Sequence, residues 1–159
     1  MIKLILISII AFLGSVAGII LARIAKEEIE PGKKYLNILQ RVLLFILFIG
    51  FLYNTKLSIY SVLAFAIGFI VSTLIKYKYF YLGIASTLSL IAHSQLTIFV
   101  NSIIFLYGLP YGSLLKDNKK IIINAILYFI PLSLLLIRPQ LVPIEHYIFA
   151  FAAGSLFHK

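Results

Sequence analysis

The chain contains no cysteine and no tryptophan, one methionine, and five acidic residues among 159. Without cysteine there is no disulfide framework, no thiolate zinc site and no cysteine nucleophile, and the redox compartment is not encoded. So few carboxylates leave poor material for the acidic metal ligands that phosphoryl transfer on lipids requires. No GxSxG, HExxH, P-loop or paired-aspartate pattern occurs. No lysine lies in the middle of an apolar run, so a retinal-type Schiff base has no attachment point. No cofactor and no metal site is expected, and nothing supports an enzyme.

What the chain has in excess is apolar surface. It is 62% hydrophobic and 12% charged, with a mean hydropathy of +1.09, more than a soluble domain of this size could hide in one core. The expected class is all-α: a polytopic integral membrane helix bundle of about seven transmembrane helices, forming one domain over 1–159 with no soluble domain. Fourteen Lys and Arg against five Asp and Glu give a net charge of +9. In a soluble protein that surplus would suggest nucleic acid. Here it fits basic residues gathered at the cytoplasmic ends of spans, beside anionic lipid headgroups, and no nucleic acid is expected. Ten tyrosines replace tryptophan as interfacial aromatics, with Tyr35, Tyr53, Tyr77, Tyr79 and Tyr147 next to polar breaks.

The spans read at 4–23, 35–53, 57–75, 77–92, 96–115, 121–137 and 144–157. Lys3 with Ser15-Val16-Ala17 imitates a secretory leader. Cleavage there would leave the following basic segment outside, against the charge rule, so residues 4–23 read as a span. The polar stretch 24–34 reads as the main loop, with Pro31-Gly32 ending any helix that continues out of the first span. Tyr79 to Leu115 is 37 residues without a charge, too long for one crossing of ~30 Å at ~1.5 Å per residue. It is expected to fold back at Ala92-His93-Ser94-Gln95.

The charge rule tests that split. Seven spans put Arg23, Lys26, Lys33, Lys34, Arg41, Lys76, Lys78, Lys116, Lys119, Lys120 and Lys159 on one side, and Lys3, Lys56 and Arg138 on the other: eleven against three. Six spans, the alternative, give eight against six. The expected placement is a multi-pass cell-membrane protein with its amino terminus outside and its carboxyl terminus cytoplasmic.

Small residues at spacing four mark helix-packing faces: Gly14 and Gly18; Ala64, Gly68 and Ser72; Gly108 and Gly112; Ala150 and Gly154. They serve a compact monomeric bundle or, through Gly14 and Gly18 before the others, a homo-oligomer. Pro110 and Pro131 each delete an interior hydrogen bond and are expected to bend their helices. The candidate polar site joins Ser89, His93, Asn101, Glu145 and His146 at the outer ends of spans four, five and seven. Glu145 beside a histidine is the raw material of a proton-coupled or cation site. Set against that is an interfacial salt bridge from Glu145 to Arg138. Two functions follow: a small transporter or channel-like permease for a solute or ion, or a structural or accessory subunit of a larger membrane complex.

Overall fold

The computed structural model describes residues 2–56, 58–75, 77–92, 94–115, 117, 119–137 and 142–157. They form α1 (Ile2–Ile24), α2 (Lys26–Asn54), α3 (Ile59–Leu74), α4 (Lys78–Ile91), α5 (Ser94–Ser113) and α6 (Lys119–Phe129). The last passes into a 3-10 segment, Ile130–Ile137, and a second 3-10 turn, Val142–Ile144, leads into α7 (Glu145–Phe157). The chain is all-helical, with no strand among the described residues.

Three stretches are long and apolar enough to cross a membrane: Ile5–Ile24, Lys26–Asn54 and Gln95–Ser113. That is fewer than the seven expected, and the reason is length. At ~1.5 Å per residue, α3, α4, α6 and α7, with 16, 14, 11 and 13 residues, reach only about 16–24 Å.

Side-chain pairs fix the directions of the helices. Ser8 meets Ser86 and Ser15 meets Tyr79, so α1 and α4 run antiparallel. Ser86 meets Asn101 and Ser89 meets Thr97, so α4 and α5 do the same. A Cβ on Gly14 or Gly18 would collide with the carbonyl oxygens of Phe105 or Leu109, so α1 and α5 are parallel and touch backbone to backbone. In the same way Gly68 and Gly154 bring α3 and α7 together, and Gly83 brings α4 against the Tyr128 carbonyl of α6. Phe51 and Asn54 of α2 meet Phe149 and His146 of α7 in reverse order, Tyr60 and Gly68 of α3 meet Tyr147 and Phe151 of α7 in the same order, and Phe12 and Arg23 of α1 lie along Tyr128 and Ile121 of α6 in reverse order, so α1 and α5 run against α4 and α6, and α3 and α7 run against α2.

The centre of this arrangement is α4. Its sequence YLGIASTLSLI is rich in small and hydroxyl-bearing residues, which let neighbours approach from every side. All of Tyr81 to Ile91 is buried. Thr87 and Ser89 return their hydroxyls to the carbonyls of Gly83 and Ser86, so they leave the helix no unmet donor. The surrounding helices turn large apolar side chains outward, among them Ile10, Phe45, Val62, Ile98 and Ile126. The polar residues Ser8, Ser15, Ser86, Thr87, Asn101 and Asn124 are buried. An apolar core that also holds these polar groups, beneath an outer surface of large apolar side chains, is unlike a water-soluble bundle, whose outer face is polar.

Two expectations fail in instructive ways. The stretch read as the main loop is helical: the chain breaks only at Ala25 (φ −106°, ψ 45°), and α2 starts at Lys26 with Pro31 inside it. Pro31 forfeits one hydrogen bond, to the Glu27 carbonyl, and a helix facing water so near its start can satisfy that carbonyl with solvent. The 29 residues of α2 extend about 44 Å. Lys26 and Glu30, spaced to pair on a helical turn, make no ion pair, and no ion pair occurs among the described residues. Pro131 does not simply bend its helix. The α geometry stops at Phe129 and gives way to the 3-10 segment one residue before the proline.

Candidate functional site

Two polar clusters sit on the face of α4 that carries Tyr79, Gly83, Ser86 and Ser89, a spacing of three or four residues that aligns side chains along one side of a helix.

The first ties α1, α4 and α5 at mid-height. Asn101 is 4% exposed. Its Oδ1 accepts the Ser86 hydroxyl at 2.7 Å, and its Nδ2 donates to Ser89 Oγ at 3.1 Å and to the Thr97 carbonyl at 2.9 Å. Because a carbonyl only accepts, the Thr97 bond fixes which end of the Asn101 amide is nitrogen. Ser86 gives its single proton to Asn101, so Ser8 is the donor in the 2.8 Å bond between the two serines. Thr97 Oγ1 donates to the Ser89 carbonyl at 2.6 Å. Every member has a partner, which is the condition for a buried network to stabilise rather than weaken a core.

The second cluster lies toward the basic end. Tyr79 bonds Ser15 of α1, and Tyr111 accepts from Asn124 Nδ2 of α6 at 2.9 Å. Tyr79 and Tyr111 meet edge to face with ring centroids 4.8 Å apart, and Tyr107 stacks on Tyr111 at 5.9 Å. The hydroxyls of Tyr107 and Tyr128 are fully buried and have no hydrogen-bond partner among the described residues. The Tyr128 hydroxyl faces the Ser8–Ser86 pair without reaching bonding geometry, so the two clusters adjoin. Tyr79, read from the sequence as an interfacial anchor, is 1% exposed. The missed signal was the pair Tyr107 and Tyr111, one helical turn apart with no charge beside them, which belongs to a protein-facing stripe.

Of the five outer-end residues, two pairs and a single residue are placed differently. Ser89 and Asn101 are bonded to each other, and His93 lies outside the described residues. His146 sits at the start of α7, where Nδ1 donates to the Asn54 carbonyl at the end of α2 at 3.3 Å, so that nitrogen carries the proton in the bond. Glu145, half-buried, opens α7, where the helix dipole favours a carboxylate. Arg138, its alternative partner, lies outside the described residues. No three His, Cys, Asp or Glu side chains gather as metal ligands among the described residues, and none of the described Asp, Glu, Lys, Arg or His side chains is buried.

The glycines fall on internal contacts. Gly108 and Gly112 meet the backbone of Gly14, Ser15 and Ile19, so α5 covers the Gly14–Gly18 face that could have served a homodimer. Gly50, without a glycine partner at spacing four, is not in open space: a Cβ there would press on the Phe99 ring.

Comparison with family models, curated proteins and solved structures finds no match to this chain.

Proposed function

We propose that this protein is a seven-pass membrane bundle acting as a structural or accessory subunit of a larger membrane assembly. The alternating helix directions gather Arg23, Lys26, Lys33, Lys34, Arg41, Lys78, Lys119 and Lys120 at one end and leave Lys3 and Lys56 at the other. By the positive-inside rule the basic end is cytoplasmic and meets anionic headgroups. Two of the short helices, α6 and α4, are compatible with a bilayer-spanning bundle. With a rise of ~2.0 Å per residue in its 3-10 part, α6 and its extension reach about 32 Å, close to the ~30 Å core. The central α4 is shielded by its neighbours from Tyr81 to Ile91, so most of its ~21 Å faces protein.

The observation that carries the accessory reading is the filled centre. The side chains of α4 from Tyr81 to Ile91 are buried, and the polar groups around Asn101 satisfy one another, which favours a cross-link over a solute path. The test is native purification in mild detergent followed by mass analysis, alongside flux assays in reconstituted vesicles. Reproducible recovery with a stoichiometric membrane partner is the expected result. Recovery alone, together with solute or proton flux, would overturn it.

A second reading, permeation of a small polar solute or ion, draws on one observation: the unpartnered hydroxyls of Tyr107 and Tyr128 inside the bundle. Buried polar groups at membrane depth are costly and often functional. Flux that is lost in Tyr128→Phe would favour it.

A further inference from the structure

Apolar grooves run along the outside of the bundle. One lies between α1 and α5, at Ile10 and Ile98, and one between α2 and α5, at Ile49 and Phe99, and neither has a charged lining residue. A third, of about 420 Å³, lies between α1 and α6, with Phe12 and Ile19 on one wall, Ile122 and Ala125 on the other, and Arg23 among its lining residues. We propose that this third groove binds an anionic phospholipid of the inner leaflet, its phosphate against the Arg23 guanidinium and one acyl chain laid along the groove to Phe12. The proposal rests on the membrane reading above and adds to it one site and one class of ligand.

The dimensions suit one leaflet. Phe12 and Arg23 stand eleven residues apart on α1, about 16 Å along the helix, against roughly half of a ~30 Å core. The far end is closed by a firm floor, since the Phe12 ring packs on Tyr79, Tyr128 and Phe129.

The charge suits an anion. Arg23 is exposed and has no carboxylate within ion-pair distance among the described residues. Asp117 turns its carboxylate to the start of α6, accepting the Lys119 N–H at 2.9 Å, and Glu27, Glu28 and Glu30 are exposed on α2. Because Asp117 already occupies the α6 N-terminus, the anion's seat is the guanidinium, which binds phosphate through paired N–H donors. Lys119 and Lys120 add positive charge at the same end.

The test uses the full chain in detergent micelles, titrated with phosphatidylglycerol and with phosphatidylcholine of identical acyl chains, and read by native mass spectrometry. Wild type is expected to retain phosphatidylglycerol about fivefold or more over phosphatidylcholine, the scale of one cation beside an anionic surface. Arg23→Gln should abolish that preference. Ile122→Trp, an exposed position whose larger ring fills the groove, should lower retention of both lipids. The double variant Lys33→Gln/Lys34→Gln, on the exposed start of α2, should keep the wild-type preference. A preference that survives Arg23→Gln, or that falls equally in the Lys33/Lys34 variant, overturns the site and leaves only a diffuse basic surface. A chain that stays monodisperse in buffer without detergent or lipid overturns the membrane reading itself, a failure visible before any lipid is added.

Discussion

Ser86 of α4 donates its hydroxyl to Asn101 of α5 at 2.7 Å, and through that bond a serine from α1 is drawn into the same network. Three helices therefore depend on one amide. Interhelical hydrogen bonds in membranes are worth about 0.6 kcal/mol each on average, but removing Asn101 breaks two of them and leaves the buried Ser86 hydroxyl without its acceptor. Asn101→Leu is expected to lower stability by about 2–3 kcal/mol, whereas Ser8→Ala, which deletes one terminal donor, should cost under about 1 kcal/mol. Unfolding of the detergent-solubilised variants by denaturing detergent checks both. Equal losses would mean that Asn101 is not the hub.

Glycine substitutions should divide by what a new Cβ meets. Gly112→Leu forces α1 and α5 apart along a contact where backbone touches backbone, and is expected to cost at least about 2–3 kcal/mol, the scale of severe overpacking. Gly50→Ala meets only the Phe99 ring, which can rotate away, so its cost should be smaller. Gly32 has nothing within 4 Å of the new atom and lies inside α2, so Gly32→Ala should stabilise by about 0.5–1 kcal/mol through helix propensity. Thermal melts of the three variants should fall in that order. A tolerated Gly112→Leu would remove the close α1–α5 crossing.

Much of the layout was legible because apolar runs and charges alternate along this chain. The expected span at 77–92 and the helix Lys78–Ile91 differ by one residue at each end, since Lys76, Lys78 and His93 punctuate the sequence there. The stripe of Thr97, Asn101, Gly108 and Gly112 pointed Asn101 toward protein through plain helical spacing. The start of α2 was not legible, because Pro31-Gly32 carries the same local signal whether it stops a helix or sits in one whose freed carbonyl faces water. The tyrosine cluster was hidden for another reason. Tyr79 beside Lys78 looks like an interfacial anchor, and only the packing of α1, α5 and α6 around it turns that ring inward.

The absence of cysteine makes orientation directly measurable. Lys56→Cys, in the turn after α2, should react with a membrane-impermeant maleimide added to intact cells. Asp117→Cys, between α5 and α6, should react only after permeabilisation, because the basic end of the bundle is expected inside. The reverse pattern would invert the bundle, and labelling of both from one side would break the alternation of helix directions.

The tyrosine hydroxyls give the sharpest separation between a packed bundle and one that holds a polar guest. Tyr79 bonds Ser15, so Tyr79→Phe strands a buried partner and should destabilise by about 1–2 kcal/mol. Tyr107 and Tyr128 bury hydroxyls that bond to nothing among the described residues, and such groups carry a desolvation cost of about 1–3 kcal/mol that phenylalanine does not. In a filled interior, Tyr107→Phe and Tyr128→Phe should therefore leave stability unchanged or raise it, while keeping the ring contacts to Tyr79, Tyr111 and Phe12. The measurement is the unfolding midpoint of each single variant and of the Tyr107/Tyr128 pair in one detergent. A loss of about 1 kcal/mol or more in either would mean that the hydroxyl is satisfied by water or a bound solute. Joined to a solute or proton flux that the same variant abolishes, that loss would put permeation ahead of the structural role.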